Sequence, residues 1–277
     1  MNSSMINAMV SMSGMQQKLD LIADNIANVN TAGYKHKDAT FEDLLTNMKQ
    51  QNEAFNRPAR LTPMGFTQGW GSRLTMNQPD MSQGPVQATG NPYDIAIQGD
   101  ALFEVATDEA GTRAYTRNGG FDITLDRDGV PIIATSEGYA LIVQQPDGNE
   151  GRITVPEGMT VRIGPDGEVT GVSRDGFNTV PLGRVKLVQP VKPGVLSPAA
   201  DNLFLVPDGL NVDDVVRTVI PDETNRINLL QGYLEQSNVK LTDEMSELMI
   251  VQRAYQMSAR ALTSSDTMMG LANNLRG

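Results

Sequence analysis

The residues able to carry chemistry are few. His36 is the only histidine among 277 residues, and there is no cysteine. Thiolate catalysis, disulfides and zinc-thiolate sites are therefore excluded. A Ser-His-Asp triad would have to be built on His36, which sits between Lys35 and Lys37 just past a helical pattern. That setting fits a solvated surface histidine. Asp126-Arg127-Asp128-Gly129 shares two acidic positions with a calcium loop, which also needs a glycine sixth and a glutamate twelfth. Counted from Asp126 these are Pro131 and Glu137. The sixth position fails, and the segment reads as a hairpin turn. Glycoside hydrolysis needs two facing carboxylates. The 33 acids supply pairs by chance, and aromatics to stack a sugar are scarce at 5%. Gly69-Trp70-Gly71 and Gly119-Gly120 match neither common phosphate-binding loop. No enzyme, no cofactor and no metal is expected.

Charge narrows the partners. Lys plus Arg number 22 against 33 acids, a formal net charge of −11. Nucleic acid and anionic lipid both call for a basic face, so neither is expected as a partner, and the acidity serves solubility. The start, MNSSMINAMVSMSGM, has no basic region and no continuous apolar run, so it does not read as a Sec signal peptide. No stretch reaches the roughly 18 to 20 apolar residues of a membrane span. Direct membrane insertion is not expected.

The strongest patterns lie at the two ends. Met5, Ala8, Met12, Met15, Leu19, Ile22, Ile26 and Val29 follow an unbroken 3-4 spacing. Leu241, Leu248, Tyr255, Leu262 and Met269 recur every seven residues. Both read as long amphipathic helices with a coiled-coil seam, over 3–30 and 238–269. The first carries Ser, Asn, Gln and Met on its outer positions rather than charge, which suits a helix covered on several faces. Its methionines fit core filling or an adaptable interface. Gly33 is a candidate left-handed cap. Phe41, Leu44, Leu45 and Met48 predict a second short helix over 38–50. Residues 50–71, rich in Gln, Asn, Pro and Gly, read as linker. From 72 to 225, short β-rich runs separated by Gly99-Asp100, Asp126 to Gly129, Asp147-Gly148, Gly164 to Gly167 and Asp208-Gly209 predict strands and hairpins. The expected fold is α+β: terminal helices pairing as a coiled coil (1–37 plus 236–277), an irregular extended segment (38–74) and an inserted β-rich domain (75–235).

These stretches also carry a family resemblance. Leu19-Asp-Leu-Ile-Ala-Asp-Asn-Ile-Ala-Asn-Val-Asn-Thr-Ala-Gly-Tyr-Lys35 resembles the N-terminal signature of bacterial flagellar rod and hook proteins. Ser237-Asn238-Val239, Glu244-Met245 and Gln252-Arg253-Ala254-Tyr255 resemble their C-terminal signature. Gln83 to Asp100 and Tyr115-Thr-Arg-Asn-Gly119 look like the start of the family's β domain. The resemblance covers most of the chain. The modest length suits a rod subunit rather than a hook subunit. Residues 60–74 look most like distal-rod proteins of the Gram-positive type, whereas Gln50 to Arg60 has no counterpart in the common rod pattern.

The resemblance implies a structural subunit of the flagellar rod, polymerising helically around a channel as the drive shaft between motor and hook. It implies a basal-body location and export, without a Sec signal, by the flagellar type III apparatus. Its partners would be copies of itself and other rod and hook proteins. The terminal helices would form the inner tube. The interface would comprise Met5, Met12, Met15, Leu19, Ile22 and Ile26 of one helix and Leu241, Met245, Leu248, Tyr255 and Leu262 of the other. Two alternatives remain at this point: a hook or hook-junction subunit, and a secreted β-rich carbohydrate-active or carbohydrate-binding protein with helical ends.

Overall fold

The computed structural model describes residues 2–43, 47–50, 65–68, 72–108, 112–126, 129–156, 158–175, 178–207, 209–221 and 226–275. Leu44 and Leu45 of the expected second helix, Arg127, Asp128 and Asp208 of the expected turns, and most of 50–71 lie outside these residues. Helix α1 (Asn2–Ala27) is followed by strands β1 (Lys37–Asp43), β2 (Asn47–Gln50), β3 (Gly65–Gln68) and β4 (Ser72–Pro79). Next come β5 (Val86–Ala88), β6 (Ile95–Gln98), β7 (Leu102–Ala106), β8 (Arg113–Thr116), β9 (Phe121–Leu125) and β10 (Pro131–Thr135). They lead to β11 (Ala140–Gln144), β12 (Glu150–Arg152), β13 (Met159–Ile163), β14 (Glu168–Ser173) and β15 (Thr179–Val185). After β16 (Leu187–Pro190), β17 (Ser197–Pro198) and β18 (Leu203–Leu205) stand the one-turn helix α2 (Val212–Val215) and β19 (Val216–Val219). Strands β20 (Asn228–Gln231) and β21 (Tyr233–Glu235) precede helix α3 (Leu241–Asn274). The fold is α+β.

The chain divides into two compact units. Unit 1 comprises Met1–Ile26, Lys37–Asn77 and Lys240–Gly277, and so holds both terminal helices. The helix expected over 38–50 does not form among the described residues of that range. β1 pairs with β4, and β2 pairs antiparallel with β3. Backbone pairing outweighs the weak helical pattern, because propensity yields readily to tertiary context. Ala39 is buried in β1 while Phe41 is exposed, so Phe41 does not lead a buried helical face.

Unit 2 comprises Ala27–His36 and Gln78–Val239. Among the described residues, thirteen strands join in one branched sheet whose main path runs β13-β14-β15-β11-β7-β8-β18-β17. Its pairings are antiparallel. The core is aliphatic, as the composition implies, with Phe103 and Phe121 edge to face at 5.2 Å. The turn over Gly164 to Gly167 closes the β13–β14 hairpin: the Gly164 N–H donates to the Glu168 carbonyl, and Gly167 takes a φ of 79°. Gly148 likewise turns β11 into β12. Around Gly99-Asp100 both strands form without a hairpin. β6 pairs with β20, and β5 pairs with β21. The last strands of the unit thus return to its first.

Candidate assembly site

Within unit 1, α1 and α3 run antiparallel. Asn25 Nδ2 donates to Glu244 Oε2 at 3.3 Å, Lys18 Nζ pairs with Glu247 Oε1 at 2.9 Å, and Ser258 Oγ lies 3.9 Å from Met15 Sδ. Descending α1 from 25 to 15 therefore ascends α3 from 244 to 258. The line of α3 turned to these contacts is Glu244, Leu248, Val251, Tyr255, Ser258, Leu262, Ser265 and Met269, each buried or half-buried. Its spacing alternates four and three, the coiled-coil step. On α1, Ile22 is fully buried, while Met5, Met12, Met15, Leu19 and Ile26 are half-buried. Leu248, Tyr255 and Leu262 lie on the covered line. Leu241 continues this line but is 43% exposed at the helix start, and Met245 lies off it, 54% exposed.

The periodicity misses the buried polar groups of this unit. Lys18 reaches three groups on two elements: Glu247 on α3, and Asp38 Oδ1 (3.2 Å) and the Ala39 carbonyl (3.1 Å) on β1. Burial works against its charge, but the Glu247 and Asp38 carboxylates outweigh it and hold the Lys18 pKa above the ordinary lysine value. Asn25 is wholly buried. Its Nδ2 donates to the Lys37 carbonyl and its Oδ1 accepts the Lys37 N–H, at 3.0 and 3.1 Å. One amide thus satisfies both backbone groups of the first β1 residue, which an apolar side chain could not do.

Unit 2 has a clasp of its own. The carboxylate of Glu235 takes Lys35 Nζ on Oε1 (2.8 Å) and Arg117 Nε on Oε2 (2.5 Å), and Oε1 also accepts the Gly84 N–H at 2.8 Å. All three charged side chains are withdrawn from solvent. The two terminal nitrogens of Arg117 donate to the carbonyls of Ala101, Ile97 and Gly99, and Lys35 donates to that of Ser82. Every nitrogen of the two cations has a partner, as a buried charge requires. Burial lowers the Lys35 pKa, and Glu235 opposes that in part. Beside it, the Asn238 amide accepts the His36 N–H at 2.7 Å and donates to the carbonyls of Asp80 and Ser82. His36 is half-buried at this junction rather than freely solvated. Gly33 ends the turn after α1 with φ +70°. A Cβ there would stand 2.4 Å from the Asn118 nitrogen, and its N–H donates to the Glu235 carbonyl. Only glycine fits the site.

The charges are spent on each other, and the Asp126 carboxylate is held by Arg152 at 2.7 Å. No helix among the described residues is long and apolar enough to cross a membrane.

Three family models match the chain. Residues 5–35 match "Flagella basal body rod protein", residues 96–171 the "Flagellar hook protein FlgE/F/G D1 domain", and residues 230–275 "Flagellar basal body rod FlgEFG protein C-terminal". Lys35, Arg117 and Glu235 fall one in each. Relatives match end to end. The flagellar basal-body rod protein FlgG of Borreliella burgdorferi is 33% identical over 271 residues, 96% of this chain and 95% of its own length. FlgG of Bacillus subtilis is 33% identical over 277 residues, 99% of this chain and 98% of its own. The flagellar hook-basal body complex protein FlhP of Bacillus subtilis is 30% identical over 281 residues, 99% of each.

Proposed function

Because the chain belongs to the family of flagellar basal-body rod and hook proteins and is a structural subunit of the rod, we propose that it builds the distal part of that rod, the hollow shaft carrying torque from motor to hook. It resides in the basal body and acts in motility beside other rod and hook proteins. Its role is structural rather than catalytic, and it takes no cofactor. Its terminal helices pair as a coiled coil and line the channel, with Met5, Met12, Met15, Leu19, Ile22, Ile26, Leu241, Met245, Leu248, Tyr255 and Leu262 burying further surface as copies stack. Subunits leave the cytoplasm unfolded through the flagellar type III export apparatus, a route that suits a chain without cysteine.

One observation carries the assembly reading. The terminal helices leave large apolar side chains in solvent, among them Ile6, Met9, Leu241, Met245 and Met249. Apolar surface of that extent on paired helices marks an interaction face. Heterologous contacts that do not close on themselves propagate as a helix. The distal placement is tested by immunolabelling purified basal bodies. Label on the rod next to the hook is expected; label confined to the motor-proximal rod, or to the hook, contradicts it.

A further inference from the structure

The large sheet of unit 2 leaves two of its edges open. Among the described residues, five of its strands pair on one side only: β9, β12, β13, β17 and β19. Unpaired edges invite other chains, and proteins blunt them. Three are blunted here. The Gln231 side chain accepts the Ile163 N–H at 3.2 Å and donates to the Val161 carbonyl at 3.0 Å, which occupies the outer backbone groups of β13. β17 is Ser197–Pro198, two residues, the second without a donor. β12 is three residues long, and its Glu150 and Arg152 are taken up in ion pairs.

β9 and β19 carry no such device. The Asp126 N–H donates to the Val130 carbonyl, so Asp122 and Thr124 turn their backbone groups to β10, while Ile123 and Leu125 turn theirs outward. The Val191 N–H donates to the Val215 carbonyl, which in the same way sets Arg217 and Val219 toward β16, with Val216 and Thr218 outward. Val216 spends its N–H on the Val212 carbonyl and keeps its own carbonyl. The outward groups of Ile123, Leu125 and Thr218 have no partner among the described residues. Ile123 and Leu125 also expose their side chains, the latter at 71%. Asp122 and Arg217 are exposed, and neither makes an ion pair among the described residues.

Building on the polymerising rod subunit proposed above, we propose that β9 of one copy pairs antiparallel with β19 of a second copy, so that the sheet continues from copy to copy. Ile123 then stands opposite Thr218, and Leu125 opposite Val216. Ile123 and Thr218 exchange two backbone bonds, and the Leu125 N–H donates to the Val216 carbonyl. On the other face of the pair, Asp122 lies diagonally across from Arg217, opposite charges within reach of each other. Pairing either strand with itself brings like charges together, Asp122 with aspartate or Arg217 with Arg217, which is unfavourable. Each copy offers one β9 and one β19. The contact is heterologous and leaves both ends open.

The chain has no cysteine of its own, so engineered ones report cleanly. A hydrogen-bonded antiparallel pair sets its Cα atoms about 5.5 Å apart, within the roughly 4.4–6.8 Å that a disulfide spans. Ile123→Cys and Thr218→Cys are placed together in one full-length chain and singly in two others, each expressed in a flagellated host lacking its own gene. Basal bodies are purified and oxidised with copper-phenanthroline. The double variant is expected to give a ladder of disulfide-linked multimers, and neither single variant any cross-link. Rods that assemble from the double variant without a ladder, or a dimer from either single variant, overturn the strand pairing and leave the rod reading standing. Absence of the unaltered chain from basal bodies overturns the rod reading and this contact with it. As a second measurement, free of cysteines, Arg217→Glu is expected to cut the number of hooked basal bodies per cell several-fold, and Asp122→Lys in the same chain to restore it. No loss, or a loss that Asp122→Lys does not restore, contradicts the pairing.

Discussion

The Lys35 ammonium lies 2.8 Å from the Glu235 carboxylate across 200 residues of sequence, with both side chains buried. Arg117 holds the other carboxylate oxygen, so two cations share one anion. Glu235→Gln strands both, which for a broken buried pair costs about 3–5 kcal/mol. Lys35→Met leaves Glu235 compensated by Arg117 and costs less. Urea unfolding followed by β-sheet circular dichroism checks the order. Equal losses would show that Arg117 does not carry the carboxylate.

The clasp fixes where the chain can be cut. Residues 27–239 keep Gly33, Lys35, Glu235 and Asn238. Residues 35–237 lose the Gly33 bond to the Glu235 carbonyl and every Asn238 bond. At roughly 0.5–1.5 kcal/mol per bond, the shorter piece is expected to be less stable by on the order of 2–4 kcal/mol. Thermal melts of the two pieces measure this; identical midpoints would count against the clasp.

Asn25→Leu removes the partner of both Lys37 backbone groups and of Glu244. Buried groups left unpaired cost about 1–3 kcal/mol each. In the full chain, helical signal is expected to be lost at lower urea while the near-ultraviolet signal of unit 2 is unmoved. A shift of both signals together would mean that the units do not unfold separately.

Tyr115 gives a pH signature. Burial, with Glu104 nearby, raises its pKa from 10.0 to about 12. Between those values the unfolded chain has released the phenol proton and the folded chain keeps it, so stability falls as pH rises through that window. Tyr115→Phe is expected to flatten this part of the stability profile and to delete the last step of the phenolate absorbance titration. An unchanged titration would place the high-pH tyrosine elsewhere.

Much of this was legible in the sequence, and the losses have a common cause. The 3-4 spacing from Met5 locates α1, and the glycine turns locate several hairpins, because both signals are local. Phe41, Leu44, Leu45 and Met48 imitate a helical face, while the partner that makes Lys37–Asp43 a strand is β4, supplied by distant sequence. Lys18, Asn25 and Glu235 look like solvent positions to any apolar count. Only their partners from elsewhere in the chain reveal them as buried. The heptad through Leu241, Leu248 and Tyr255 locates α3 but marks only one edge of its covered face.

The central claim is that these terminal helices build the rod. The most direct measurement replaces the chromosomal gene with a chain ending at Val239 and images purified basal bodies by electron microscopy. The expected result is basal bodies that stop short within the rod, bear no hook, and come from cells that do not swim. Full-length rods bearing hooks on swimming cells would contradict it.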